Sequence, residues 1–355
     1  MIYYLIVALF PLACGAIYKQ IKTNNALLMK RVDDKKVWWT FIAVLPMFLM
    51  FVLRYKYVGP DTIGYVRQFE TGMDNVKVSE ILSSSYKGRY ERGFAVYVKL
   101  ISVIIDSYTI FFLINGLIIF GTLFRFALKH TNDPFLFFTL FVSLGTYNFV
   151  MTGLRQTLAI CICVWAIDFV KNRRLIWFLL FVTLAYFFHK SSVVFLLIYP
   201  LSSIKRFDWT IFWYSIVAMF FVVGFAFFQQ IFNELLGYEY SIEDTGNGGT
   251  FLMLLVVLFL FSLYMQYDKS EDGKMSTVGH LAILAVVFWI LRLISRTAER
   301  ISYYYILGLY GYFANATQFR KGNLMSFVKH MLIFACIALF VYRNIGVYYK
   351  FFWQG

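Results

Sequence analysis

Short groups of charged and polar residues recur along an otherwise apolar chain, and their types suit chemistry on a phosphorylated ligand. These groups are Gly59-Pro-Asp-Thr62, Arg89-Tyr-Glu-Arg-Gly93, Thr152-Gly-Leu-Arg-Gln156, His189-Lys-Ser-Ser192 and Arg296-Thr-Ala-Glu-Arg300. Guanidinium groups bind phosphate oxygens in a bidentate manner, and a nearby carboxylate or imidazole can accept a proton. The pattern predicts one polar site, provided that the fold brings these groups together.

The elements that must position these groups are helices in a lipid bilayer. Of 355 residues, 61% are hydrophobic and only 15% are charged, whereas a soluble domain carries about 25% charged residues. In lipid only helices and closed barrels satisfy the backbone, and runs such as Phe251–Phe261 lack the alternation of barrel strands. The sequence therefore predicts an all-α polytopic integral membrane protein.

The charged interruptions of the apolar runs predict about twelve transmembrane helices. These spans are 2–18, 37–53, 110–127, 135–150, 155–171, 174–188, 192–204, 209–228, 250–267, 280–295, 301–318 and 324–345. The run Phe94–Ile105 is too short to cross and contains Lys99, so we expect an interfacial or re-entrant helix there. Residues 1–355 are expected to form a single transmembrane domain with long extracytoplasmic loops at 54–93 and 229–249.

The distribution of lysine and arginine predicts the orientation of the chain. A strongly basic segment follows the first span, so residues 19–36 are placed in the cytoplasm and both termini outside. Alternation then puts the other short basic loops on the cytoplasmic side as well. Several arginines remain on the outer face: Arg54, Arg67, Arg89, Arg92, Arg155, Arg292, Arg296 and Arg300. Ionisable residues at membrane depth usually face a bundle interior or a cavity, which favours one polar site on this side.

Each cluster also has an explanation that needs no ligand. Arg296 and Arg300 are four positions apart and can snorkel to lipid headgroups or pair with Glu299. Asp61 suits a turn after Gly-Pro, and His189 suits a membrane interface. Arg89, Glu91 and Arg92 can form a set of salt bridges in a solvated loop, and a single interfacial arginine such as Arg155 is common where a span begins.

The order of these motifs resembles a known family. GPDTxxY, RYERGF, LRQTLA, FHKSS and RTAERISYY, between about residues 54 and 310, are similar to the EpsG family of bacterial exopolysaccharide polymerases, which are Wzy-like and are thought to relate to the GT-C class of membrane glycosyltransferases. The resemblance implies a GT-C-like fold in the bacterial plasma membrane. It also implies an enzyme that transfers a growing glycan from polyprenyl (undecaprenyl) diphosphate onto a lipid-linked oligosaccharide repeat unit at the outer face, in exopolysaccharide or capsule synthesis.

The resemblance further implies roles for individual residues. Asp61 is the first candidate for the general base, because GT-C enzymes commonly place an acidic residue in the first outer loop; Glu91, His189 and Glu299 are the other candidates. Arginines expected to bind the diphosphate are Arg89, Arg92, Arg155, Arg296 and Arg300. Residues expected to contact the glycan are Tyr65, Gln156 and Tyr303, although an interfacial aromatic belt explains the tyrosines better. No cofactor or metal is expected, and a divalent ion at Asp61 stays open.

The sequence argues against some functions other than a polymerase and leaves others open. There is no Gly-rich phosphate loop, HExxH or GxSxG, which argues against an ATP-driven pump. Despite a net charge of +14, no nucleic-acid partner is expected; a chain-length regulator and other assembly proteins are. Two alternatives stay open: a lipid-linked oligosaccharide flippase or exporter, and a membrane acyltransferase with His189 as base. Four cysteines lie in apolar runs and are predicted to be buried thiols: Cys14, Cys161, Cys163 and Cys336.

Overall fold

The structure, a computed structural model, describes most of the chain. It covers residues 2–24, 30–204 apart from 72, 74, 84, 85 and 87, scattered positions between 209 and 230, and residues 248–267, 275–293, 298–318 and 322–354. The regular elements within these residues are helices, joined by one isolated bridge between Arg54 and Phe351. The predicted span 209–228 and the predicted outer loop 229–249 lie mostly outside the described residues.

The amino-terminal part contains two long helices followed by three short ones. They are α1 (Ile2–Asn24), α2 (Lys30–Val52), α3 (Thr62–Glu70), α4 (Val78–Leu82) and α5 (Arg92–Ser102). The helices α3 and α4 lie within the predicted outer loop 54–93. The 11 residues of α5 rise only about 16 Å, which is too short to cross a bilayer and agrees with the expectation for 94–105.

The central part contains a bent element. The helices are α6 (Tyr108–His130), α7 (Pro134–Ser143), α8 (Thr146–Thr152), α9 (Leu154–Lys171) and α10 (Leu175–Phe188). Asp133 caps α7 by accepting a hydrogen bond from the backbone of Leu136, with Pro134 at the first helical position. The predicted span 135–150 is therefore two helices, α7 and α8, which meet at 65° at a break that contains Gly145 with φ of +81°.

The carboxy-terminal part alternates short and long helices. A 3₁₀ helix, Lys190–Leu197, leads into α11 (Ile198–Leu201), and after the region outside the described residues come α12 (Gly249–Tyr267), α13 (Thr277–Leu291), α14 (Ala298–Ser302), α15 (Ile306–Ala316) and α16 (Asn323–Arg343). A final 3₁₀ turn spans Phe352–Gln354. The predicted span 192–204 thus begins as a 3₁₀ helix.

The number of membrane spans is only partly settled by helix length. Five of the described helices, α1, α2, α6, α12 and α16, are long and apolar enough to cross a bilayer, and the bent pair of α7 and α8 makes a sixth. Shorter apolar helices include α10, the Lys190–Leu201 segment and α13. An all-α, multi-pass membrane protein is confirmed, while about twelve spans and a GT-C-like arrangement stay predictions.

Aromatic and aliphatic side chains fill the space between the helices. The helix α1 packs against α2 and α7, α2 packs against α6, and α9 packs against both α6 and α10. The predicted burial of all four cysteines is confirmed. Large apolar side chains also cover the outside, with Ile176 74% and Leu117 60% exposed, as expected of a surface that contacts lipid tails.

Charged residues gather at two opposite ends of the bundle. At one end Lys19 pairs with Asp133 at 3.0 Å, and Lys129 pairs with Asp168 at 2.7 Å. These residues all belong to loops or helix ends that the basic pattern assigns to the cytoplasm. The other end holds the residues assigned to the outer face, including Tyr349, whose hydroxyl donates to the carbonyl of Met50 at 2.7 Å. The grouping agrees with the predicted alternation, and which end faces the cytoplasm stays a prediction.

Candidate functional site

A buried cluster of Glu91, Arg155 and His189 lies at the second end of the bundle. One carboxylate oxygen of Glu91 accepts a hydrogen bond from Nη1 of Arg155, and the other lies 3.0 Å from Nδ1 of His189. The side chains of Glu91 and His189 are only 7% and 6% exposed. Three of the polar motifs in the sequence therefore meet in one charged network.

A close approach between α5 and α10 brings Glu91 to His189. A Cβ atom on Gly93 would lie 2.7 Å from the backbone oxygen of Phe187 and 2.9 Å from its carbonyl carbon. Glycine is therefore the residue that lets the first turn of α5 rest on the last turn of α10. His189 follows that last turn directly, so the contact places it beside Glu91.

Arg155 is held by aromatic residues as well as by Glu91. It lies in the first turn of α9, which begins directly after Gly153. Its guanidinium carbon lies 4.5 Å from the ring centroid of Tyr90, a cation–π contact, and the Tyr65 hydroxyl is hydrogen-bonded to it. The rings of Tyr65 and Tyr90 lie 5.5 Å apart. Tyr65 therefore packs against Tyr90 and binds Arg155 in this structure.

The environment of Glu91 fixes its charge. Burial by itself raises the pKa of this carboxyl, but the hydrogen bond and charge of His189 and the charge of Arg155 outweigh burial and lower the pKa to about 2. Glu91 is consequently ionised at neutral pH and is a weak proton acceptor. These properties suit a residue that holds Arg155 and His189 in position.

The Gly59–Thr62 turn is fastened to the break between α8 and α9. Gly59 has φ of +98°, and a Cβ atom there would lie 2.8 Å from the carbonyl oxygen of Met151. The Thr62 hydroxyl donates to that same oxygen at 3.1 Å, and Nη1 of Arg54 donates to it as well. The turn therefore sits over the start of α9 and leaves Asp61 exposed.

A cavity of about 510 Å³, called the first cavity below, opens beside this turn. Its charged lining residues are Asp61, Arg67 and Arg89, and all three are exposed. Tyr90 also lines this cavity. Arg155 does not line the cavity itself, but it contacts the Tyr90 ring. The sequence places Arg67 on the outer face without giving it a role, and its position in α3 is what brings it to the cavity.

Glu299 belongs to a separate group. Its carboxylate accepts hydrogen bonds from Nε of Arg292 at 3.1 Å and from the hydroxyl of Tyr303 at 2.9 Å. The Tyr303 ring stacks on Phe149 with 4.1 Å between centroids. Glu299 and Tyr303 line a second cavity of about 450 Å³, and Pro60 lines both cavities.

The remaining residues singled out in the sequence lie around these groups. The side-chain amide of Gln156 donates to the backbone oxygen of Arg300, which ties the start of α9 to α14. Arg92 and Arg300 are exposed at this end of the bundle, and Arg296 lies outside the described residues. The Tyr304 hydroxyl lies 3.1 Å from that of Ser191. The described members of all five motifs thus occupy one end, while their individual roles stay predictions.

No group of three or more metal-ligating side chains is present in the part of the chain that the structure describes. The expectation of a site without a metal therefore stays a prediction. The arginines near the first cavity supply positive charge that a metal ion supplies in other phosphate sites.

Apolar helices around a charged end with two cavities define a multi-pass helical membrane protein with a polar site at one end. The model of the EpsG family matches residues 37–354, and the chain belongs to that family. Membership implies an exopolysaccharide-polymerase type of membrane protein that acts on a lipid-linked saccharide. No curated protein and no solved structure matches the chain.

Proposed function

We propose that the chain is a glycosyltransferase that polymerises lipid-linked oligosaccharide repeat units at the outer face of the bacterial plasma membrane. The observation that carries the proposal is the first cavity, where Asp61 lies with two arginines, Arg67 and Arg89, in one lining. A carboxylate beside two cations suits a reaction that removes a proton from one substrate while a diphosphate leaves the other.

The reaction exchanges one glycosidic bond for another. The bond between the anomeric carbon of the growing glycan and its polyprenyl diphosphate breaks, and the diphosphate leaves with the electron pair. The hydroxyl oxygen of the acceptor sugar forms the new bond to that carbon, and its proton passes to Asp61. Arg67 and Arg89 stabilise the charge that develops on the leaving diphosphate.

The buried network of Glu91, Arg155 and His189 holds one wall of this cavity in position. Glu91 fixes Arg155, and the guanidinium of Arg155 lies against the ring of Tyr90 in the cavity wall. In this role Glu91, Arg155 and His189 are positioning residues. Arg155 also adds a positive field to the cavity without taking the place of Arg67 and Arg89.

The end of α5 suits an amphiphilic donor, because Lys99 there donates to the carbonyl of Met73, which lines the first cavity. Beyond α5, Val103 and Ile104 are 70% and 82% exposed, so this region presents an apolar surface to its surroundings. A prenyl chain in contact with lipid then reaches the charged cavity with its diphosphate. This placement explains why cations are needed at the end of the bundle and not in its middle.

The direct test uses purified protein in lipid with synthetic lipid-linked repeat units. We expect wild-type protein and Asp106→Asn, an exposed loop control, to make longer glycans. Asp61→Asn should lower the rate by about 10²- to 10⁴-fold, the usual contribution of a general base. Full activity in Asp61→Asn would remove Asp61 from the reaction. Transport of labelled units across vesicle membranes without new glycosidic bonds would show that the protein is a flippase and not a polymerase.

A further inference from the structure

We infer that the second cavity binds the sugar portion of the acceptor, so that the two substrates occupy separate cavities on either side of Pro60. This inference rests on the proposed function and adds a glycan site to it. The second cavity has a volume of about 450 Å³ and lies between the broken helix of α7 and α8 and the end of α16. That volume is within the usual range for a small-molecule site.

The break between α7 and α8 is the first reason to expect a polar ligand here. Gly145, with φ of +81°, lines the cavity at the 65° bend. Irregular backbone at membrane depth is tolerated where it is buried in protein or lines a hydrated cavity. A continuous helix would fill this space with its next turn, so the bend is what makes room for the cavity.

Unpartnered polar atoms on the cavity wall are the second reason. Ser143 is 2% exposed, and its hydroxyl lacks a hydrogen-bond partner within the described residues. The side-chain oxygen of Asn148 is likewise buried and without a partner there, while its nitrogen donates to Asn344 at 2.8 Å. All three residues line the cavity. Buried polar atoms normally have partners. A ligand hydroxyl that draws either side chain round to the cavity surface would supply the missing hydrogen bond.

The charge of the lining separates the two cavities by ligand. The first cavity carries two arginines and one carboxylate, whereas the second carries one of each, Arg343 and Glu299. The dianionic diphosphate therefore favours the first cavity, and an uncharged, hydroxyl-rich sugar suits the second.

Aromatic residues add a surface for a sugar ring. Tyr348 lines the second cavity and is 72% exposed, so its ring is accessible to a ligand. Amide, hydroxyl and carboxylate groups beside an accessible aromatic ring can bind both the polar edge and the apolar face of a hexose. Asn148, Glu299 and Tyr348 supply these three elements.

Pro60 connects the two sites. It lines both cavities, and the next residue, Asp61, lines the first. A sugar that occupies the second cavity and extends past Pro60 presents a hydroxyl to Asp61. The rigid Gly59–Thr62 turn thus forms the edge across which the glycosidic bond is made.

The test uses single cysteines that report on each cavity, since the four native thiols are buried. Val347→Cys reports on the second cavity and leaves the Tyr348 ring in place, Ile63→Cys reports on the first, and Tyr57→Cys on an exposed position outside both. The labelling rate of each with a polar maleimide is measured in lipid. One probe is the oligosaccharide released by mild acid from lipid-linked repeat units of the bacterium that makes the protein, and the other is geranylgeranyl diphosphate.

We expect the free oligosaccharide to slow labelling only at position 347, by about threefold at twice its Kd. Geranylgeranyl diphosphate should slow labelling only at position 63. Asn148→Ala should raise the Kd of the oligosaccharide about tenfold, because the loss of one hydrogen bond of ordinary strength changes a Kd by about that factor. Asn132→Ala, exposed at the opposite end, should leave it unchanged.

Unchanged labelling at position 347, or protection by the oligosaccharide at position 63 instead, would overturn the inference even if the protein polymerises. The proposed function has its own test: if intact lipid-linked repeat units yield no polymer, the proposed function is wrong. In that case protection at position 347 would still identify the second cavity as a glycan site. The two failures are therefore distinguishable in one preparation.

Discussion

The carboxylate of Glu91 lies 3.0 Å from Nδ1 of His189, although 98 residues separate them in the chain. Its other oxygen binds Arg155, so one side chain joins the start of α5, the start of α9 and the end of α10. A charge that is shared among three segments couples the long loop before α5 to the helical bundle. Several measurable consequences follow from this connection.

Arg155→Ala removes the cation from this network. We expect it to destabilise the protein by about 3 kcal/mol, because breaking a buried ion pair typically costs about 3–5 kcal/mol and His189 still contacts the carboxylate. Polymerisation should fall as the Tyr90 wall loses its support. Thermal unfolding in detergent measures the stability, with Arg174→Ala at an exposed position as control. Equal unfolding temperatures for both variants would show that the network does not stabilise the fold.

The lowered pKa of Glu91 predicts that the free energy of unfolding decreases in acid. Its pKa in the folded protein is about 2, below the ordinary value of 4.5, so its ionised form favours the folded state. That contribution, on the order of 3 kcal/mol, is fully present above about pH 4.5 and is lost as the pH falls through 2. The free energy of unfolding of Glu91→Gln should therefore depend less on pH than that of wild type below pH 4.5. Glu70→Gln, an exposed residue of α3, is the control, and parallel curves for wild type and Glu91→Gln would contradict the assignment.

The sequence is sufficient to predict an all-α, multi-pass membrane protein and the segregation of the polar motifs to one end. Hydropathy reports directly on bilayer contact, and the alternation of basic loops reports on which segments share an end, which is why those predictions succeed; the side of the membrane that each end faces stays a prediction. The contact of Glu91 with Arg155 and His189 is not predictable in the same way, because it depends on the through-space approach of Gly93 to Phe187.

Other features are missed for equally physical reasons. The run 135–150 carries no charged residue, and isolated Gly, Thr or Asn residues are tolerated within spans, so its mean hydropathy does not mark the break at Gly145. Arg343 ends an apolar helix as an ordinary helix-end cation does, and only the fold brings it to a cavity. Glu299, grouped with the other acids by motif, belongs to that second cavity, because the orientation of α14 is not encoded in its own residues.

Gly93→Ala tests the contact that assembles the network. The added methyl group would lie 2.7 Å from the backbone oxygen of Phe187, and backbone cannot move aside as a flexible side chain does. We expect α5 to shift away from α10, with lower activity and a loss of about 1–3 kcal/mol in stability. Gly121→Ala, in α6, has open space around it and should be neutral or slightly stabilising. Equal behaviour of both variants in unfolding and polymerisation assays would contradict this account.

Gly59→Ala tests the placement of Asp61. Gly59 and Gly346 both have a positive φ, +98° and +84°, but only at Gly59 would a methyl group meet close neighbours, Thr62 and Met151. Gly346→Ala therefore shares the backbone strain of about 1–3 kcal/mol and lacks the collision. We expect Gly59→Ala to lose much more activity at equal expression, because the turn that carries Asp61 moves. Comparable rates in the two variants would show that backbone strain alone explains the effect.

Arg67 and Arg89 test whether the first cavity binds the diphosphate. Each hydrogen bond to a charged group contributes enough that its loss should raise the KM for the lipid-linked substrate about ten- to a hundredfold. Both side chains are exposed, so the KM of wild type should also rise with salt, over a range where the screening length falls from about 10 to 3 Å. Arg67→Ala and Arg89→Ala should each weaken that salt dependence, whereas Arg174→Ala at the opposite end should not. A KM that is unchanged in both cavity variants would place the diphosphate elsewhere, because these arginines are the exposed cations of the cavity lining.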